Sequence, residues 1–246
     1  MKARTTELKH DARVLGLALI ALLLWESSGL DLVVVRWYGS AHGFAWRDAW
    51  LTSTVLHKGG RVLAWGLLAI MFAYAWWPLL TGPSRTERAL WLAVTLLCLL
   101  LIPAIKHASK TSCPWDLAEF GGVAAYVPHW RFDRIDGGSG HCFPSGHAVA
   151  ASAFFSGYFL LRAHRLTFAR CWLAGVCALL LLFGWAQLAR GAHYPSHTFW
   201  SAWLCWAVCA LAARVASAGQ RVTQRISSVA TALPLISTSS LAAPTR

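Results

Sequence analysis

The chain has 246 residues, of which 57% are hydrophobic and 13% charged, with 15 Trp and a mean hydropathy of +0.50. A soluble domain of this length has no interior large enough for so much apolar surface, whereas a bilayer removes the need to hide it. The net charge of +12 does not signal nucleic-acid binding. The basic residues lie in the gaps between apolar runs rather than along one amphipathic face, which is the pattern of membrane topology.

In chain order, Lys2, Arg4, Lys9 and Arg13 precede an apolar run from Val14 to Trp25. This resembles a secretory leader, but no small-x-small cleavage site follows, and Glu26 to Asp31 reads as a helix leaving the membrane. An uncleaved first span is expected over 12–29. The stretch 30–60 mixes Trp37, Tyr38, Trp46 and Trp50 with charges and reads as an interfacial segment. Further apolar runs at 61–80, 89–105, 147–161, 171–189 and 198–213 bring the count to about six, several of them shorter than the ~20 residues of a perpendicular helix. The expected fold is an all-α integral membrane bundle with three regions. These are an N-terminal segment 1–60, a core 61–213, and a Ser/Thr/Ala-rich tail 214–246 expected to be disordered in the cytoplasm.

Orientation follows from Lys and Arg. The N-terminal segment, the 81–88 loop (Arg85, Arg88), the 162–170 loop (Arg162, Arg165, Arg170) and the tail hold most of the basic residues, with only Glu7, Asp11 and Glu87 against them. Both termini are therefore expected in the cytoplasm, and the loop 106–146 and the link 190–197 outside. Five cysteines (Cys98, Cys171, Cys177, Cys205, Cys209) fall in apolar runs and read as small buried hydrophobes. Cys113 and Cys142 lie in the polar loop.

The chemistry-bearing residues gather in those two outer stretches. Phe143-Pro-Ser-Gly-His147 stands directly before the fourth span. Proline suits a first helical turn, and the free amides of Ser145, Gly146 and His147 would face an anion beside a titratable imidazole. Arg190-Gly-Ala-His-Tyr-Pro-Ser-His197 stands before the last span, where His197 can orient His193. Lys106 ends the third span on the same face. A cation, helix-end amides and two imidazoles with an orienting partner suit phosphoryl transfer through a phosphohistidine. Taken singly, Lys106 reads as a snorkelling anchor and the histidines as interfacial groups. Their convergence on one membrane face argues for function.

These motifs resemble the type-2 phosphatidic acid phosphatase superfamily, whose pattern is Lys-x6-Arg-Pro, then Pro-Ser-Gly-His, then Ser-Arg-x5-His-x3-Asp. The resemblance covers about residues 60–213 and implies a core of six helices. By it, Lys106 binds phosphate, as do Ser145 and Gly146, His147 is the general acid, and His193 is the nucleophile. Three charged positions of the pattern are replaced: Cys113 and Gln187 stand where arginines are expected, and His197 where an aspartate is. Arg190, one turn from Gln187, is expected to restore one phosphate-binding charge, and Arg131 or Arg134 the other. Asp116, Asp133 or Asp136 is expected to supply the missing carboxylate. Cys113, at a site position, and Cys142, two residues before Pro144, are expected to form a disulfide in an oxidising compartment.

The resemblance implies a phosphatase acting on a lipid phosphate or pyrophosphate, in a bacterial inner (plasma) membrane with its site facing the periplasm or exterior. The alternatives are a lipid-to-lipid phosphotransferase and a non-catalytic lipid-phosphate-binding scaffold. A disulfide-handling protein is disfavoured because no Cys-x-x-Cys pair occurs. No metal or cofactor is expected, no nucleic-acid partner, and the sequence sets no oligomeric state. Reporter fusions after Arg85 and after Asp133 should give opposite compartment signals; the same signal from both would overturn this topology.

Overall fold

The computed structural model describes residues 2–131 and 133–232. Helix α1 (Lys2–Ser28) and helix α2 (Leu30–Arg36) meet at Gly29, whose left-handed φ of 70° allows a 68° bend between them. A two-residue hairpin, β1 (Gly39–Ser40) and β2 (Gly43–Phe44), leads into a π-helical stretch over Trp50–Lys58 that continues as α3 (Gly59–Trp76). Then come α4 (Arg85–Ala108), two 3-10 turns (Pro114–Asp116 and Ala118–Phe120), α5 (Val149–Ser152), α6 (Phe155–Leu161), α7 (Leu166–Ala189) and α8 (Pro195–Ala232). Among the described residues four helices are long and apolar enough to cross a membrane, five if the bent pair α1–α2 is one span. Leu17, Leu24, Trp65, Leu100, Leu181 and Leu211 are exposed on these helices, as a bilayer permits. The protein is an all-α membrane bundle.

Three expectations change here. The second span begins at Trp50, not residue 61, so 50–58 belongs to a span rather than an interfacial stretch. Its polar residues are accommodated locally; the buried Thr52 hydroxyl, for example, donates to the Trp46 carbonyl at 2.5 Å. The fourth expected span, 147–161, is not one regular helix but the short pair α5–α6, broken at Ala153 and Phe154. It forms the central column of the bundle, packed against α3, α4, α7 and α8, so it faces protein and need not match the bilayer. The break is closed by Trp172, whose indole N–H donates to the Phe154 carbonyl at 2.7 Å. Finally, α8 runs on through Ala232, so 214–232 is helical where a disordered tail was expected. Ala212, Ala213, Ala216 and Ala218 favour continuation of the helix, alanine being the strongest helix former. The rest of that tail, 233–246, lies outside the described residues.

The main core joins Met71, Trp91, Ile102, Phe154, Phe159 and Cys205. Of the five cysteines expected to be buried, Cys98, Cys205 and Cys209 are, whereas Cys171 and Cys177 are exposed on α7. A second cluster, including Val35, Phe44, Leu117, Phe120 and Tyr194, seals the end of the bundle that carries the 106–146 loop. Helix α4 starts at a capping box, with the Glu87 amide donating to Ser84 Oγ at 3.3 Å and the Ser84 amide to Glu87 Oε2 at 2.9 Å.

At the opposite end, Arg162 reaches from the end of α6 to Asp11 of α1 through paired contacts of 2.7 and 2.8 Å. The two side chains are 7% and 1% exposed. Truncating one partner of such a pair strands a buried charge, at a cost of about 3–5 kcal/mol. Asp11→Ala should therefore lower the thermal unfolding midpoint in detergent clearly, and an unchanged midpoint would show that the pair contributes nothing net.

Candidate functional site

Helix α7 ends where the Ala192 and His193 amides both turn back to the Gln187 carbonyl, at 2.8 and 3.3 Å. Gly191 makes this possible with a left-handed φ of 70°. Pro195 then opens α8, which places His193 just outside the helix and His197 one turn into it. Their Nδ1 atoms lie 3.5 Å apart, so one ring donates to the other, as the spacing suggested. Asp31 fixes this helix start by accepting from the Ser196 amide at 3.0 Å and from the Ser196 hydroxyl, and it also accepts from Trp25 at 2.7 Å.

Cys113 and Cys142 are joined in a disulfide with a Cα–Cα distance of 5.2 Å. The Cys142 sulfur lies 3.5 Å from His193 Nδ1 and 3.1 Å from the Ala192 carbonyl. The Nδ1 edge of His193 is thus walled by sulfur on one side and His197 on the other. Cys113, Cys142 and His193 have metal-ligand spacing, but the two sulfurs are bonded to each other and offer no thiolates. Burial pushes His193 well below the usual imidazole range, and the charge of Lys106 and the neighbouring imidazoles push the same way. A neutral His193 is the form that can attack.

The Phe143–His147 segment departs from the expected anion cradle. The Ser145 amide is not free: it donates to the His197 carbonyl at 3.0 Å. The Ser145 hydroxyl accepts from the Ala148 amide at 3.3 Å. Among the described residues nothing accepts from the amides of Gly146 and His147. Helix α5 is a single turn, so the anion-binding capacity rests on these two amides and Lys106 rather than on a long helix dipole. Lys106 lies along Gly146, where an added Cβ would sit 3.3 Å from its Cδ.

His147 donates Nε2–H to the Leu56 carbonyl at 3.1 Å, since a carbonyl can only accept. Its ring packs on His57 at 4.6 Å and on Phe183 at 4.9 Å. His57 Nδ1 in turn accepts from the Gln187 amide at 3.0 Å. Gln187 is therefore not an idle replacement for an arginine; it orients the imidazole that backs His147. Arg190 gives its Nε–H to the Arg47 carbonyl at 2.8 Å, and its charge reaches both His57 and His147. Arg61 does the same from α3.

His57 and Arg61 were missed in the sequence. The available signal was His57-Lys-Gly-Gly-Arg61, basic residues flanking two glycines within an apolar run. A π-helical turn, often a mark of functional sites, brings His57 inward. At Gly60 an added Cβ would lie 2.8 Å from Phe183 and 3.2 Å from His147 Nε2, so only glycine lets α3 approach this closely.

Other expected contributors are not brought in. Arg131 pairs with Asp133 at 3.0 Å on the surface. With Arg134 and Lys110 it lines an adjoining pocket of about 350 Å³, not the Lys106–Gly146 cleft. Asp136 accepts from the Ser112 amide and hydroxyl at 2.6 and 2.8 Å. Asp116 accepts from the Cys113 amide at 3.3 Å and from Ser139 at 2.9 Å. These two acids staple the 106–146 loop, and among the described residues no carboxylate of that loop pairs with His193 or His197.

The site opens on an apolar cavity of about 460 Å³ between α3, α4 and α5, lined by Trp65, Leu68, Leu100 and Pro103 and by Arg61 and Gly146. Removing the Gln187 amide should slacken His57 against His147. Gln187→Ala is expected to cut turnover about tenfold, the kinetic equivalent of one lost hydrogen bond; unchanged turnover would mean that His57 plays no part.

Comparison with curated proteins and with solved structures returned no match. The family model of the PAP2 superfamily matches residues 88–221, a range that takes in Lys106, the Pro144–His147 segment, His193 and His197 but leaves out α1, α2, His57 and Arg61. With more than half of the chain matched, and with the imidazoles, lysine and glycine of its motifs gathered at one end of the bundle, the protein belongs to the PAP2 superfamily.

Proposed function

We propose that the protein is a membrane phosphatase that hydrolyses a lipid phosphate or pyrophosphate through a phosphohistidine at its outer face. The observation that carries this reading is the joining of two environments at Gly146. On one side lie Lys106, two unpaired amides and the His193–His197 pair; on the other lies an apolar cavity among membrane-facing helices. A phosphate on a lipid needs both at once.

In this mechanism Lys106 and the amides of Gly146 and His147 hold the phosphoryl oxygens. His193, its Nδ1 edge held by His197, attacks phosphorus through Nε2. The P–O bond to the lipid breaks, and the leaving oxygen takes a proton from His147. Since Nε2–H of His147 stays on the Leu56 carbonyl, the ring acts as the doubly protonated imidazolium, and the proton it gives up is the one on Nδ1, which leaves the neutral ring. Water then attacks the phosphoimidazole and gives its proton back to His147, and the P–N bond breaks to release inorganic phosphate. Arg190 and Arg61 add positive charge along the path. The distribution of Lys and Arg supports an outward-facing site in a plasma membrane, with both termini inside.

His193→Ala should reduce phosphate release from lipid phosphates by about a hundredfold or more and abolish an acid-labile phosphoenzyme. Near wild-type turnover in detergent would rule the mechanism out. Because His193 is held below the ordinary imidazole value of 6.5, it stays neutral as the pH falls through that value. The acidic limb of kcat/KM, which reports the free enzyme, is therefore expected below pH 6.5, and a limb at or above 6.5 would contradict the burial of the nucleophile.

A further inference from the structure

Forming a bond from His193 Nε2 to phosphorus puts positive charge on a buried ring. The groups that meet it are His197, itself an imidazole, and Lys106, a cation. A negative charge nearby would stabilise this state, and most carboxylates on the outer side of the bundle are committed elsewhere. Asp31 is spent on Ser196 and Trp25, and Asp116 and Asp136 on the outer loop. Asp133 and Glu119 sit in exposed pairs with Arg131 and Arg36.

Glu26, at the end of α1, differs in lying against a ring, His129, that meets His197. Its side chain is 6% exposed, and among the described residues it pairs with no Lys or Arg. It accepts from the Trp200 indole at 2.8 Å and lies 3.4 Å from His129 Nε2. His129 is held flat against Phe143, with ring centres 3.9 Å apart and a 9° interplanar angle. It meets His197 edge-to-face at 5.9 Å and 82°. A row of rings thus runs from a buried carboxylate to the nucleophile: Glu26, His129, His197, His193. Burial holds His129 down to about 4, so it stands as a neutral imidazole that can turn its dipole toward the carboxylate.

We propose that Glu26 is a positioning residue for phosphoryl transfer, its carboxylate supplying through His129 and His197 the negative charge that stabilises the phosphorylated state of His193. The inference rests on the phosphohistidine reading above. It also gives α1, which lies outside the matched family range, a part in the chemistry rather than in anchoring alone. No atom is transferred to Glu26; its charge acts through the two intervening rings.

The experiment uses the full-length protein in detergent with a short-chain phosphatidic acid as probe, reading kcat, KM, the trapped phosphoenzyme and the thermal midpoint. Glu26→Gln should lower kcat about tenfold or more, the usual scale for a group acting through another, with KM within about twofold and the phosphoenzyme level reduced. Glu26→Asp should recover part of the loss. His129→Phe should resemble Glu26→Gln, and the double variant should be no worse than either single one, since both lie on one path. A Glu26→Gln enzyme with wild-type kcat, or one whose loss is matched by a collapsed midpoint and by the same loss in Glu26→Asp, overturns the proposal. If the wild type shows no His193-dependent phosphoenzyme, the underlying mechanism fails instead, and the two failures are told apart by that control.

Discussion

The site depends on one main-chain hydrogen bond, from the Ser145 amide to the His197 carbonyl at 3.0 Å. It ties the loop before α5, which carries His147, to the first turn of α8, which carries His197, two segments far apart in sequence. Ser201 reinforces it, its hydroxyl shared between the Ser145 and His197 carbonyls at 2.9 and 3.0 Å. All three residues are essentially inaccessible to solvent, and in a dry interior an unmade bond of this kind is costly. Both main-chain groups of Ser145 are used in this joint, its amide by His197 and its carbonyl by Ser201, which holds His197 and the neighbouring amides in register.

The residues legible in the sequence were those whose meaning is local. Lys106 at the end of an apolar run, the Pro-Ser-Gly-His segment, and the four-residue spacing of His193 and His197 all announce themselves within a few positions. The disulfide was legible for a related reason: Cys113 and Cys142 were the two cysteines outside apolar runs, each beside a motif. Span boundaries failed where hydropathy and packing diverge. The 50–58 turn is too polar to read as membrane helix, yet it pairs its polar groups internally. The 147–161 segment reads as a span although its surroundings are protein.

Long-range contacts were not legible at all. The expected replacement carboxylates were sought in the loop nearest in sequence, at Asp116, Asp133 and Asp136. The chain instead folds those acids into loop structure and brings Asp31 and Glu26 from the first helices, more than 150 positions from their partners Ser196 and Trp200. Gln187 was misjudged likewise. Its side chain looked like a lost arginine until His57, 130 positions away, was found against it. A bend at Gly29 is what makes the first of these connections, since it turns α2 across the end of the bundle so that Asp31 meets α8.

Two missing Cβ atoms bound the site as firmly as its charges do. At Gly60 a methyl group would collide with Phe183 and crowd His147, and at Gly146 it would press on the Lys106 side chain. The reacting groups are therefore held in place partly by absence, and the tolerance of the pocket is set by backbone spacing rather than by side-chain choice. A protein built this way can be silenced by substitutions that alter no ionisable group and leave every motif histidine and lysine intact. In a survey of variants, the most revealing inactive ones will be those at its smallest residues.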